Sequence, residues 1–357
     1  MLGSKKLKTL FEWKEISEEF IKNSNENVEH LIKGFPENAK IQIGAFTPVK
    51  FDQQLTLIGL EVEVENITVP IKSHWWEGKA DPSLRNHGCE LFSVFPYRNH
   101  KQVSFALGEM DHLLKKAIKD HDFSWRTCIQ VHADMTRFNI VDLCNFLLFY
   151  CSLEPFLFKI FSEQRRNSIY CVPLFESDFF TDKGDTTHLA GLFAHAQKNE
   201  DVNWASLITK IWPDKMSKYS AINFSRLSDL CTVEFRHLAG TDDMKKVTDW
   251  ISVILLLLKK AKNNISLEDS IKEINNLKTK ISYHDYLVSI FGDKADLLNF
   301  PHFDNYLNEG VRKCKELVSL INKEVKAMTK IAPKGAIVSH FKTVKEKREA
   351  RIKRTFS

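Results

Sequence analysis

The seven cysteines of this chain, Cys89, Cys128, Cys144, Cys151, Cys171, Cys231 and Cys314, include no CxxC spacing. Scattered and odd in number, they exclude a zinc ribbon and speak against a disulfide framework, and they read as buried thiols of a reducing compartment. Glycine is scarce, 13 in 357 residues, and none falls in a GxGxxG or GxxxxGK[ST] loop. Any phosphate-bearing ligand must be held without either common glycine-rich cradle. Residues 1–15 mix lysines with apolar residues and lack the apolar stretch of a secretory leader. The longest apolar run, residues 251–258, is interrupted by Ser252. A bilayer demands ~20 apolar residues. No internal repeat or low-complexity block is visible. The expectation is a cytoplasmic protein with no membrane association.

Apolar residues make up 43% of the chain and charged residues 27%, proportions that allow a sizeable core. The net charge is +5, but eight basic residues stand against two acidic ones from Lys334 onward. That surplus of six exceeds the whole net charge, so the body of the chain is close to neutral. The body offers no electrostatic footprint for nucleic acid. The basic tail is either a solvated helix or a surface for an acidic or nucleic-acid partner.

Periodicity organises the rest. Residues 11–21 have helical spacing. Residues 54–65 alternate, with Leu60, Val62 and Val64 set against Glu61, Glu63 and Glu65, the pattern of a half-buried strand. Residues 86–95 and 127–135 read as further strands. Residues 217–227 and 231–238 read as two more, joined by a turn at Ser228-Asp229. Helical spacing returns at 104–121, 141–161 and 243–262. Lys-, Asn- and Ile-rich helical segments follow to about residue 330, before Pro333 and Gly335 break the pattern. Strands with hairpin-like neighbours between helices predict an α+β fold. The expected organisation is a peripheral segment at 1–50, a catalytic domain at 51–262, a helical extension at 263–332 and a basic tail at 333–357.

One pattern occurs three times. Glu61-Val62-Glu63, His132-Ala133-Asp134 and Glu234-Phe235-Arg236 each sit in a predicted strand. Side chains at i and i+2 share a face, so each trio shows two polar groups on one side and an apolar residue on the other. Any one pair is an ordinary solvated strand face. Three together, without a single lysine, are harder to read that way. On one sheet, Glu61, Glu63, Asp134 and Glu234 would repel one another unless a cation intervened. Oxygen donors suit Mg²⁺ or Mn²⁺, and His132 adds a nitrogen. Arg236 supplies a forked donor for a phosphate or an oxyanion.

In order and spacing, these trios and the segments around them resemble the amidoligase group of the carboxylate–amine ligase superfamily, which includes glutamine synthetase and γ-glutamylcysteine synthetase. The matching stretches are Ile58-Gly59-Leu60-Glu61-Val62-Glu63, Lys79-Ala80-Asp81-Pro82-Ser83-Leu84, Gly88-Cys89-Glu90-Leu91-Phe92-Ser93, Val131-His132-Ala133-Asp134, Arg166-Asn167 with Tyr170-Cys171, and Thr232-Val233-Glu234-Phe235-Arg236-His237. The resemblance covers residues 55–250. It implies an antiparallel, glutamine-synthetase-like catalytic sheet packed with helices. It also implies ATP with Mg²⁺ or Mn²⁺, metal held by Glu61, Glu63, His132 and Glu234, and phosphate contact by Arg236. Small-molecule or peptide carboxylates and amines would be the substrates, with Glu90 or Asp81 accepting the amine proton.

Secondary candidates keep two readings each. Lys79, Asp81 and Ser83 form either a polar turn or a substrate loop. Arg166 answers either a helix dipole or a phosphate. Arg226, one hairpin turn before Glu234, is placed to join Arg236 on a phosphate. His237 points away from Arg236 and reads as a packed core residue. Two other functions compete with a ligase. One is a metal-dependent hydrolase or nuclease using the same carboxylates. The other is a non-enzymatic binding protein acting through its tail.

Overall fold

The computed structural model describes residues 57–331, apart from 68–70, 99, 118–119, 178–185, 205, 207, 209–218, 228–229 and 264–265. The N-terminal segment with its expected helix at 11–21, the turn at Ser228-Asp229 and the basic tail at 333–357 lie outside the described residues.

Six strands form one open antiparallel sheet. They are β1 (Ile58–Val64), β2 (Trp76–Ala80), β3 (Cys89–Ser93), β4 (Cys128–Asp134), β5 (Ile222–Asn223) and β6 (Thr232–Ala239), in the order β2-β3-β1-β4-β6-β5. Alternation decides which face is which. Ile58, Leu60, Val62 and Val64 of β1, Ile129 and Val131 of β4, and Val233 and Phe235 of β6 are buried in the apolar core. Glu61, Glu63, Gln130, His132 and Glu234 stand on the other face.

The register between β4 and β6 shifts once. Ile129 pairs with Leu238, but Val131 pairs with Phe235, so Arg236 and His237 together oppose Gln130. This bulge lets His237 and Leu238 both face the core while Arg236 stays beside Glu234.

Among the described residues seven α-helices accompany the strands, three of them before β6 and four after it: α1 (His100–His112), α2 (Ile140–Phe161), α3 (Thr186–Gln197), α4 (Met244–Asn263), α5 (Leu267–Asn276), α6 (Lys280–Phe291) and α7 (Phe303–Ile331). α2 starts where Asn139 caps it. The Asn139 side chain accepts the Val141 and Asp142 N–H groups, and Asp142 accepts the Asn139 N–H in return. Long and apolar enough to cross a bilayer by composition, α2 is instead wholly buried inside the protein. It touches β6 and α4, and it is covered by α7, α3 and α5. A helix enclosed in this way is apolar all round. Its few polar groups find partners: Ser270 Oγ donates to Asn145 Oδ1 at 2.7 Å, and Ser152 Oγ lies 2.6 Å from Tyr286 Oη.

Three expectations need correction. Lys79 sits in edge strand β2, where a turn or loop was expected, because β3 supplies the pairing that Trp76-Glu77-Gly78-Lys79-Ala80 lacks on its own. The strand expected at 217–227 shrinks to Ile222–Asn223, since Asn223 Oδ1 accepts the Ser225 N–H at 2.9 Å and turns the chain into a 3₁₀ turn at Ser225–Leu227. The helix expected at 104–121 begins at His100 and passes into a π-turn at Leu113–Ala117.

Candidate active site

Glu61, His132 and Glu234 meet because β1, β4 and β6 are neighbours. Glu61 opposes Gln130, and His132 is flanked by Gly59 on one side and Glu234 on the other. His132 Nε2 lies 3.0 Å from Glu61 Oε1. With His132 protonated, the contact is a close charged pair. The other ring nitrogen, Nδ1, is 3.2 Å from Thr232 Oγ1, which fixes the plane of the ring. Burial alone would lower the His132 pKa. Glu61 at 3.0 Å, with Glu234 beyond it, outweighs burial and raises it. Glu61 is shifted the other way. Burial pushes it up, but His132, Arg226 and Arg236 together hold it below the usual carboxylate range.

Glu63 and Glu234 are bound more tightly into the sheet. Glu63 accepts the Cys128 N–H at 2.8 Å, the Cys128 thiol at 3.0 Å and Gln130 Nε2 at 2.7 Å. Burial still raises its pKa, with Arg236 opposing. Glu234 accepts Asn223 Nδ2 at 3.0 Å and forms an ion pair with Arg236. The Arg236 guanidinium also donates from Nε to the Tyr170 carbonyl and from Nη1 to Gln130 Oε1, both at 3.2 Å. Its Nη2 lies 3.9 Å from Glu63.

Glu90 completes the row on β3, opposite Glu63 on one side and Lys79 on the other. Half-buried, it is pushed up to about 7 by burial and by the carboxylates of Glu61, Glu63 and Asp81. Lys79 is exposed on the edge strand. Asp81 lies just past β2 and accepts the Ser83 N–H at 2.8 Å, a turn contact. Arg226, exposed on its 3₁₀ turn, lies close enough to Glu61 and His132 to shift both.

Two expected members are engaged elsewhere. Asp134 accepts the Thr136 N–H at 2.8 Å and the Thr136 hydroxyl at 2.9 Å, closing the turn after β4. Arg166 makes a two-pronged pair with Glu309 of α7, at 2.6 and 3.4 Å, and ties that helix to the end of α2. The residue beside it, Arg165, serves the sheet instead. Buried, it donates to the carbonyls of Trp125, Arg126, Thr127, Tyr170 and Arg236 at 3.2–3.4 Å.

The sequence reading missed Gln130, Asn223, Thr232 and Arg165. Gln130 was within reach, since the period of two that links His132 to Asp134 extends back to it. Asn223 and Arg165 carried no local signal, because their partners lie on other elements.

Among the described residues, no three His, Cys, Asp or Glu side chains are arranged as a metal-binding group. The donor nearest to one is Glu61 Oε1, which lies 3.0 Å from His132 Nε2; His132 would be a second donor only after giving up its Nε2 proton. Mg²⁺ commonly keeps water and phosphate oxygens and takes one or two protein carboxylates, so Glu61 fits it, and His132 would join only as the neutral imidazole. Glu63, Asp134 and Glu234 already accept protein hydrogen bonds.

No protein-family model matches the chain, and no curated protein matches it. The class the coordinates define is a mixed α/β protein. It has an open six-stranded antiparallel sheet with an apolar core under one face and a buried, charged cluster on the other.

Proposed function

We propose that this chain is an ATP- and Mg²⁺-dependent carboxylate–amine ligase with a glutamine-synthetase-like sheet, working in the cytoplasm on small-molecule or peptide substrates. The observation that carries this reading is the adjacency, on one sheet face, of Glu61, His132, Glu234 and Arg236, with Glu90 beside them.

An ammonium and a carboxylate at neutral pH do not condense. Phosphorylation of the carboxylate supplies the missing leaving group. Its oxygen attacks the γ-phosphorus and ADP departs. The amine nitrogen then forms the C–N bond, and phosphate leaves with the electrons of the C–O bond. Glu61 and His132 would hold Mg²⁺, with Glu234 as their neighbour. Mg²⁺ neutralises charge on phosphate oxygens when bound. Arg226, exposed at the rim, meets a phosphate. Arg236 holds Glu234 in place and offsets the carboxylate charge around it. The Glu90 carboxylate accepts no protein hydrogen bond among the described residues, and it takes the proton the amine loses. Burial of Glu63, His132 and Glu234 limits water that would hydrolyse the activated acyl group.

The test is thermal unfolding with and without Mg-ATP, for the wild type, Glu61→Gln and Arg226→Ala. A ligand at 100 times its Kd stabilises the native state by about 2.7 kcal/mol. For a chain of this size that moves the midpoint by roughly 3–5 °C. A Mg²⁺-dependent shift in the wild type, lost in both variants, supports the reading and is followed by a screen for carboxylate- and amine-dependent ADP release. Absence of a shift at saturating nucleotide, or phosphodiester cleavage without nucleotide, rejects it in favour of a hydrolase.

A further inference from the structure

Beyond the charged face, at the end of the sheet where β4 begins and β6 ends, lies a second cluster that the ligase chemistry does not use. Trp125 is 51% exposed, while Trp75, Trp76, Trp204 and Trp250 are fully buried. Its ring centroid is 5.9 Å from that of Tyr170, at an interplanar angle of 37°. Two guanidinium groups lie over the Trp125 ring, Arg126 at 5.1 Å and Arg85 at 5.6 Å. Arg126 also lies 5.9 Å from the Tyr170 ring. Among the described residues neither the Arg85 nor the Arg126 guanidinium is paired with a carboxylate; the Arg85 backbone N–H donates to Glu65 Oε1 at 2.9 Å. Arg126 donates from Nη1 to the Ser83 carbonyl at 2.9 Å, and its Nε has no hydrogen-bond partner.

Beside the ring opens a cavity of about 410 Å³, lined by Trp125, Arg165, Asn167, Ile169 and Ala239 among others. That volume is in the range of small-molecule pockets. Ile169, 66% exposed, puts an apolar side chain at its rim. Arg165, 1% exposed, adds a buried positive charge to the wall, and its Nε too lacks a partner. An exposed indole next to a tyrosine, under two unpaired guanidinium groups and beside a cavity with a cationic wall, suits one chemistry. A flat ring stacks on such a surface, and negative charge is attracted to it.

We propose that this cluster binds a planar ring carrying a negative charge, stacked on Trp125 with its anionic group toward Arg85 and Arg126. The cluster joins the charged face through two contacts. Tyr170 accepts Arg236 Nε, and Arg165 Nη2 donates to the Arg236 carbonyl, both at 3.2 Å. Its role as the subsite for one substrate of the ligase rests on that reading. The binding itself does not.

Calorimetric titration with four probes tests it: adenosine 5′-monophosphate and indole-3-carboxylate, planar and anionic; adenosine, planar and neutral; and ribose 5-phosphate, anionic without an aromatic ring. Wild type, Trp125→Ala, Trp125→Phe, Arg126→Ala and Glu61→Gln are compared, with circular dichroism confirming the fold. The expected result is binding of one or both planar anions at least about tenfold tighter than adenosine or ribose 5-phosphate. It is weakened about tenfold or more in Trp125→Ala and Arg126→Ala, largely kept in Trp125→Phe and unchanged in Glu61→Gln. Binding of the monophosphate alone assigns the site to a nucleotide, and binding of the indole acid alone assigns it to an aromatic carboxylate. Ribose 5-phosphate binding as well as the monophosphate, binding unaffected by Trp125→Ala, or no binding by any probe overturns the proposal. Retention in Glu61→Gln separates its fate from that of the ligase reading.

Discussion

Glu154 is the clearest case of a single residue whose charge is set by its surroundings. It sits in α2, fully enclosed, and accepts the Tyr150 hydroxyl at 2.5 Å and the Leu174 N–H at 2.6 Å. The same Tyr150 hydroxyl lies 3.0 Å from His237 Nε2. Burial pushes Glu154 up to about 7 against those hydrogen bonds, and pushes His237 down to about 3. A carboxyl raised on folding stabilises the native state at low pH, and that stabilisation is lost as pH rises through about 7. Glu154→Gln removes the dependence. From pH 5 to pH 8 the stability of the variant relative to wild type should rise by roughly 2–3 kcal/mol, read from urea denaturation. His237 was legible as a core residue, because the period of two turns it away from Arg236. Glu154 was not, since nothing near it in the chain names its partners. If the proposed ligase reading holds, Glu90→Gln should lower the ligation rate by about 10²-fold or more while the Mg-ATP thermal shift remains, because in that reading the residue takes a proton and does not hold nucleotide. Loss of the shift together with the rate would refute that assignment.

Elements differ in how much of them is written locally. β1 and β4 alternate strictly, and β6 alternates up to its bulge at Arg236-His237, so their existence and their polar faces were plain. β2 has a glycine and an exposed lysine, and becomes a strand only by pairing with β3. α2 was visible as an apolar helix, but its second packing face was not. That face is where α7 comes close: a Cβ on Gly310 would stand 2.2 Å from the Ser152 carbonyl oxygen. Glycine is required there for the approach of two backbones. Gly310→Ala should cost about 1–3 kcal/mol despite its gain in helix propensity. A lower urea midpoint with unchanged slope is the expected reading, and a higher midpoint would show that the two helices separate easily.

For the whole molecule, the main apolar core of the described residues runs from Ile58 of β1 to Ile321 of α7, with Phe158, Cys171 and Ala221 in a small separate cluster. Past residue 263, α5, α6 and α7 close over helices of the preceding segment. Calorimetry should show one cooperative transition for the described body, and removal of residues 263 onward should leave α2 uncovered and give an aggregating or molten product. Two separate transitions would contradict a shared core. By itself the sequence determined the mixed class, the strands β1, β4 and β6 and the i, i+2 pairs of polar side chains, because a strand's period is local. Only the tertiary structure decided that β1, β4 and β6 are neighbours in register. It also decided that Glu61 and His132 meet while Asp134 and Arg166 do not, and that Arg165 rather than Arg166 serves the sheet. Those outcomes depend on pairing and burial between distant segments, and no local pattern encodes which carboxylate a given cation will meet.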